Sequence, residues 1–195
     1  DAVRWYMLTN SSPWENLKFD PEGVDEIRRK FFGTLYNTYG FFALYANVDG
    51  WNPDPLTSNL SPLTSFTEID KWVLSRLNSL IKEVTAAYEA YEPTKAGRAI
   101  SDFVQDDLSN WYVRLNRKRF WGGEMDADKQ AAYYTLYTCL KTVAQLMAPN
   151  APFYGDRLYR DLTDETVHLS TWPVADEAMI NLELERSMSL AQQAT

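Results

Sequence analysis

Apolar residues return along this chain at steps of three and four, in long stretches broken by proline, glycine and Asn/Ser/Thr-rich punctuation. Residues 2–8 read as a short helix. Ser11-Ser12-Pro13-Trp14 reads as a turn. Asp20-Pro21 opens a helix with a capping carboxylate and a proline at the first helical position. Val24, Ile27, Phe31, Leu35, Phe42 and Tyr45 then carry its apolar stripe to about residue 47, with Asp49-Gly50 as the stop. Residues 50–66 hold Pro53, Pro55 and Pro62 and read as a long surface loop. Thr67 caps the next helix, whose inward positions are Ile69, Trp72, Val73, Leu77, Leu80, Ile81 and Val84.

Glu92-Pro93 starts a further helix, with Ala96, Ile100, Phe103, Val104, Leu108, Trp111 and Leu115 predicted inward and Gly122-Gly123 ending it. Asp126 caps another, running to Pro149 through Tyr133, Leu136, Leu140, Val143 and Met147. Pro152 begins a short helix, residues 166–169 read as a small extended piece, and a last helix fills about 176–194. Long helices with short connections predict an all-α fold, an antiparallel helical bundle. The expected division is a connector over 1–20, the bundle over 21–162 and the start of a further unit over 163–195. The apolar residues of the last helix, Met179, Ile180, Leu182, Leu184, Met188 and Leu190, have no evident partner within the chain.

Composition narrows the function classes. With 195 residues and 45% hydrophobic positions the chain has the means to bury a core, which excludes a disordered segment. A single cysteine, Cys139, and a single histidine, His168, exclude an intrachain disulfide and Cys/His zinc sites. No apolar run is long enough for a membrane span, the N-terminus lacks a signal-peptide pattern, and a cytoplasmic setting fits best. A nucleophilic triad has no base besides His168. There is no phosphate-cradling glycine loop, and Asp102 with Asp106 lacks the Glu-x-x-His partners of a di-metal bundle. The residues present no catalytic centre and no metal site.

Charge does change the picture. The formal charge is −8, yet residues 161–195 carry seven acids and one base, leaving 20 acids and 18 bases over 1–160. Two basic clusters stand out: Arg28-Arg29-Lys30, and Arg114, Arg117, Lys118 and Arg119, with no acid between Trp111 and Trp121. On an α-helix Trp111, Arg114 and Lys118 fall within about 60° of one another, with Arg117 about 60° further round. A ring among cations suits single-stranded nucleic acid, the base stacking while the cations neutralise phosphates. The alternative is that Trp111 continues the core stripe and the cations form a solvated face. The residues alone leave both open.

The strings themselves resemble isoleucyl-tRNA synthetases. Asn110-Trp111-Tyr112-Val113-Arg114 through Arg119-Phe120-Trp121 is similar to that family's N-W-Y-V-R…R-F-W signature. Arg4-Trp5-Tyr6 with Ser11-Ser12-Pro13-Trp14-Glu15-Asn16-Leu17, and Arg29-Lys30-Phe31 with Leu35-Tyr36-Asn37-Thr38-Tyr39, resemble two further blocks. So do Glu68-Ile69-Asp70-Lys71-Trp72, Leu146-Met147-Ala148-Pro149 and Val167-His168-Leu169 with Trp172-Pro173.

The resemblance implies the helical anticodon-binding part of a class I synthetase. The H-I-G-H and K-M-S-K-S signatures of aminoacylation are missing, so the chain alone is expected to be inactive. ATP with Mg would serve the parent enzyme, and no cofactor is expected here. The implied partners are an isoleucine tRNA, through its anticodon stem-loop, and the catalytic and C-terminal domains of the same polypeptide. In related methionyl enzymes a tryptophan equivalent to Trp111 meets an anticodon base, and Asn37 falls near a second contact position. Arg114, Arg117, Lys118 and Arg119 are the expected phosphate contacts, with Arg29 and Lys30 behind them. The alternatives are the equivalent domain of a valyl or leucyl enzyme, against which the N-W-Y-V-R block argues, and a helical scaffold that docks proteins without binding RNA.

Overall fold

The computed structural model describes residues 1–12, 14–53 and 66–194. The expected loop over 50–66 therefore lies largely outside the described residues, as does Pro13 of the expected turn. The described chain is helical, with no strand among the described residues.

The first helix, α1 (Ala2–Thr9), leads into α2 (Pro21–Ile27), which continues through one wider π-helical stretch, Arg28–Phe32, into α3 (Gly33–Asp49). Asp20 accepts from the Glu22 N–H ahead of Pro21, and Gly50 closes α3 in the left-handed conformation (φ 64°) that glycine adopts without steric cost. The next helix, α4 (Glu68–Glu89), starts on a capping box: Asp70 N–H donates to Thr67 Oγ1 while Thr67 N–H donates back to Asp70. A second rod joins α5 (Pro93–Asp102), a π-helical stretch Phe103–Val113 and α6 (Arg114–Trp121). It is followed by α7 (Ala127–Met147), capped by Asp126, and α8 (Pro152–Thr163). A short segment with two 3₁₀ turns leads to α9 (Leu182–Gln193).

The bundle is formed by the α2–α3 rod, α4, the α5–α6 rod and α7. Both α3 and α4 pack against the α5–α6 rod and α7, and α8 folds back along α7. The centre is a contiguous apolar core in which Trp72, Leu77, Val84, Ile100, Leu108, Tyr133, Leu136 and Leu140 are buried. Aromatic side chains join the rods. Phe41 of α3 meets Phe120 of α6 edge-on at 5.1 Å, and Phe120 meets Tyr133 of α7 at 5.0 Å.

Three expectations need correction. The wider winding over Phe103–Val113 buries Phe103 with Val104, Asp107 with Leu108, and Tyr112 with Val113. Successive buried pairs thus lie four and five residues apart, so α-helical spacing points to the wrong face beyond Leu108. Leu115, predicted inward, is 55% exposed. Within residues 1–20, the expected short helix, α1, packs on α2 and α5. Trp5 is fully buried, stacks on Phe31 at 4.4 Å and donates its indole N–H to Ser101.

The expected extended piece is a 3₁₀ turn, Val167–Leu169, because its N–H and hydroxyl donors find a side chain instead of a second strand. Asp156 of α8 accepts from Thr166 Oγ1 and from Val167 N–H. Finally, the last helix does have a partner in the chain. Met179, Leu184 and Met188 pack on the core, and Glu185 accepts from Ser75, Ser79 and Arg76 of α4.

Candidate nucleic-acid interface

The basic residues of α6 divide by their surroundings. Arg119 points inward from α6 and is only 13% exposed at its side chain. Its two terminal nitrogens fork onto Asp70 at 2.8 and 2.9 Å. The remaining donors go to Asn116 Oδ1 at 3.1 Å, Asp128 Oδ2 at 3.0 Å and the Asp128 carbonyl at 2.9 Å. A guanidinium has five N–H donors, and all five are spent within the chain.

Burial raises the Asp70 carboxyl pKa, but hydrogen bonds from Arg119, Thr67 and Tyr112 more than offset it and the net shift is downward. Burial likewise lowers the Arg119 pKa and its carboxylate partners outweigh it, leaving it raised. Arg119 is thus a rivet between α4, α6 and α7, with its donors already committed within the chain. No sequence-local feature separates it from Arg117, because Asp70 lies far away along the chain.

Arg114, Arg117 and Lys118 are exposed, and no described acid pairs with any of them. At 100° per residue they occupy an arc of about 100° on α6. Like charges at these spacings repel mildly. A polyanion laid along the arc relieves that repulsion.

Trp111 does not share this stripe. It lies in the wide-wound stretch, half-buried and packed on the core, and its indole N–H is shut off from solvent with no acceptor among the described residues. The ring is thus partly packed against the core rather than standing clear of it. The fully buried member of the block is Tyr112, whose hydroxyl donates to Asp70 at 2.7 Å.

The first basic cluster is largely paired. Arg28 forks onto Asp25 at 2.9 and 2.7 Å, Arg29 lies 3.7 Å from the same carboxylate, and Lys30 pairs with Glu26. The Lys30 ammonium holds the Glu26 pKa below the carboxylate range. These are exposed, easily screened pairs that an RNA phosphate could exchange for. Asn37 is exposed on α3, one helical turn before Phe41, so the α3 flank adjoins α6 through the Phe41–Phe120 contact.

Trp121 was not among the expected contacts. It is 55% exposed at the C-terminal end of α6. The available signal was its spacing: seven residues after Arg114, four after Arg117 and three after Lys118.

The family model described as "Anticodon-binding domain of tRNA ligase" matches residues 70–195. The chain is 63% identical to the isoleucine–tRNA ligase of Bacteroides thetaiotaomicron over 202 residues, covering 100% of this chain and 17% of that protein. It is 62% identical to the isoleucine–tRNA ligase of Porphyromonas gingivalis (99% and 17%) and 46% identical to that of Clostridium tetani (98% and 19%). The chain thus spans about a sixth of the length of the curated relatives it matches. Among solved structures it is similar to the LeuRS chain in the ternary complex of Agrobacterium radiobacter K84 agnB2 LeuRS with tRNA and LeuAMS. That match has a TM-score of 0.63 at 19% identity and covers 92% of this chain and 20% of that one. At that identity it speaks to the fold.

Proposed function

The chain belongs to the anticodon-binding domains of tRNA ligases, and from that premise we propose that it holds the anticodon stem-loop of an isoleucine tRNA for an isoleucine–tRNA ligase. The specificity rests on identity that stays between 60% and 63% across essentially the whole chain in five relatives of that one name.

The observation that carries the binding role is the unpaired cation stripe Arg114, Arg117 and Lys118 on α6, whose fourth cation, Arg119, is locked inward. Phosphate contacts of this kind fix register and orientation, and the exposed polar flank of α3 around Asn37 supplies a surface for reading base edges. Arg29 and Lys30, in the π-helical stretch of the same rod, serve as second-rank phosphate contacts. In the parent enzyme, this grip orients the acceptor end toward a catalytic domain that uses ATP with Mg, in the cytoplasm. The chain's own contribution is binding, and it performs no step of aminoacylation by itself.

The test is fluorescence anisotropy of an isoleucine-tRNA anticodon stem-loop against the 195-residue chain at several salt concentrations. Three phosphate contacts predict a slope of log K against log salt of about −2 to −3. Arg117→Ala is expected to shallow that slope by about 1. Binding indifferent to salt and to Arg117→Ala would remove the proposal. Equal affinity for a loop with a swapped anticodon would leave the phosphate grip and remove the isoleucine specificity.

A further inference from the structure

We propose that the outward face of α1, with Phe19 on one side of it and Phe153 of α8 on the other, seats another part of the parent polypeptide, an apolar surface that offers Arg4 a carboxylate. This rests on the reading of the chain as one part of an isoleucine–tRNA ligase, and not on its RNA contacts.

Trp5, Tyr6 and Thr9 turn from α1 into the bundle. At 100° per residue, Val3, Arg4 and Met7 then fall together on the opposite side. A surface helix ordinarily fills that side with charged and polar groups. Here Val3 is 51% exposed and Met7 45%, and Arg4 is the one charged residue of the helix. Exposed rings flank them. Phe19, 53% exposed, meets the Tyr6 ring edge-on at 6.1 Å. Phe153, 72% exposed, lies under the Arg4 guanidinium at 5.7 Å. Exposed apolar side chains scattered singly are normal, but four that adjoin across one helix form an interaction surface.

The face is also rigid. Beneath it Trp5 stacks on Phe31 and donates to Ser101. Asp1 makes no side-chain cap on its own helix and instead accepts the Tyr154 N–H, in the first turn of α8, at 2.6 Å. No side chain at the Ala151 cap position of α8 competes for that role. The bond ties α1 to α8 and holds Phe153 against Arg4. A partner therefore meets a surface already built, with little ordering to offset.

Charge and length select the occupant. Arg4 pairs with no described acid. One cation among four apolar side chains suits a protein surface that brings a single carboxylate, whereas a run of phosphates calls for several cations, as on α6. A second copy related by a two-fold axis would turn the face on itself, bringing two Arg4 side chains into one interface without an acid of the face to pair them. The chain spans 17% of the Bacteroides thetaiotaomicron ligase, so most of such a polypeptide is available to cover the face.

Met7 is its own probe, because a thioether is oxidised to the sulfoxide according to its exposure. Hydrogen peroxide is applied, without RNA, to the 195-residue chain and to the full-length ligase that contains it, and sulfoxide is read by mass spectrometry on the peptide carrying Met7. Fully buried Met147 is the internal reference. Met7 is expected to oxidise about 10-fold or more slowly in the full-length ligase than in the 195-residue chain. Val3→Glu, at an exposed position, is expected to leave the urea midpoint of the 195-residue chain unchanged and to bring the full-length Met7 rate up to that of the isolated chain. In full-length Arg4→Lys ligase, a carbodiimide, which joins an amine to a carboxylate in contact with it, is expected to link residue 4 to an acid outside the 195 residues.

Equal Met7 rates in the chain and in the full-length ligase overturn the proposal, and so does a crosslink confined to the 195 residues. A dimer of the 195-residue chain in sedimentation that Val3→Glu dissociates would overturn it in favour of a second copy. Protection of Met7 in the 195-residue chain by an isoleucine tRNA would overturn it in favour of RNA. If no stem-loop binds while Met7 is protected in the full-length ligase, the RNA grip falls and the seat stands.

Discussion

Two neighbouring cations on α6, Arg117 and Arg119, look alike in sequence and differ in everything that follows. Arg117 is exposed and unpaired among described acids, whereas Arg119 spends its five donors on Asp70, Asp128 and Asn116. Breaking a buried ion pair by removing one partner leaves the other charge uncompensated. Arg119→Ala is therefore expected to cost about 3–5 kcal/mol in urea unfolding, against about 0.5 kcal/mol or less for Arg117→Ala. RNA affinity should reverse the order of blame: Arg117→Ala weakens binding by a folded protein, and Arg119→Ala weakens it only as far as the fold is lost. Cys139 makes a second case. It is fully buried, and burial pushes its thiol pKa far up, with the Asp70 charge adding to the shift. It should resist a disulfide reagent at pH 8 in the native chain and react at once in denaturant. That core position was legible from helical spacing alone. The split between Arg117 and Arg119 was not, because it depends on a carboxylate supplied by another helix.

At the scale of elements, the sequence was most informative wherever the determinant is local. Asp20, Thr67 and Asp126 were readable as caps because each bonds an N–H only two or three residues on. Gly50 was readable as a stop for the same reason. Winding was not readable. The π-helical stretch Phe103–Val113 shifts the buried face onto Tyr112 and Val113, leaving Trp111 half-buried and Leu115 outside, and no local residue announces it.

The last helix was misjudged because what holds α9 is mostly polar. Ser75, Ser79 and Arg76 all donate to Glu185, Asn181 N–H donates to Ser75, and Gln192 donates to Asp107. Hydrophobic periodicity cannot see such a clamp. No residue of α9 is fully buried, so this helix should open before the bundle does. Glu185→Ala removes the central acceptor. It is expected to raise amide exchange across residues 182–193 while protection in α4 and α7 holds. Loss of protection in all three together would mean that α9 is an integral part of the cooperative core.

For the whole molecule, net charge and local charge pull in opposite directions, and pH is the variable that separates them. The chain carries a formal −8, yet its exposed α6 arc is cationic and without described acids. Several carboxylates are committed to holding helices together. Hydrogen bonds from Thr166 and Arg160 bring the Asp156 pKa down to about 2. Asp49 is raised by burial but lowered overall by Lys129 and Tyr133, which tie the end of α3 to α7. Asp70 is lowered on the same balance, through Arg119.

A carboxylate with a depressed folded pKa stays ionised in the native chain while the unfolded chain takes up a proton. Its stabilising contribution is therefore complete above the ordinary carboxylate range and is lost as pH falls through the folded value. Asp102 works the other way: burial, reinforced by Asp106, raises its pKa, so its penalty at neutral pH is relieved on acidification. Four depressed groups, Glu26, Asp49, Asp70 and Asp156, against this one predict a urea midpoint that is nearly flat from pH 7 to about 5 and falls between about pH 4 and pH 2. Asp156→Asn should flatten the acid limb, and a variant whose acid limb matches the parent's would show that the Asp156 contacts with Thr166 and Arg160 hold nothing. RNA binding should stay level over the upper part of that range, since the α6 arc carries no carboxylate. A binding curve that followed the carboxylates above pH 5 would move the interface away from α6.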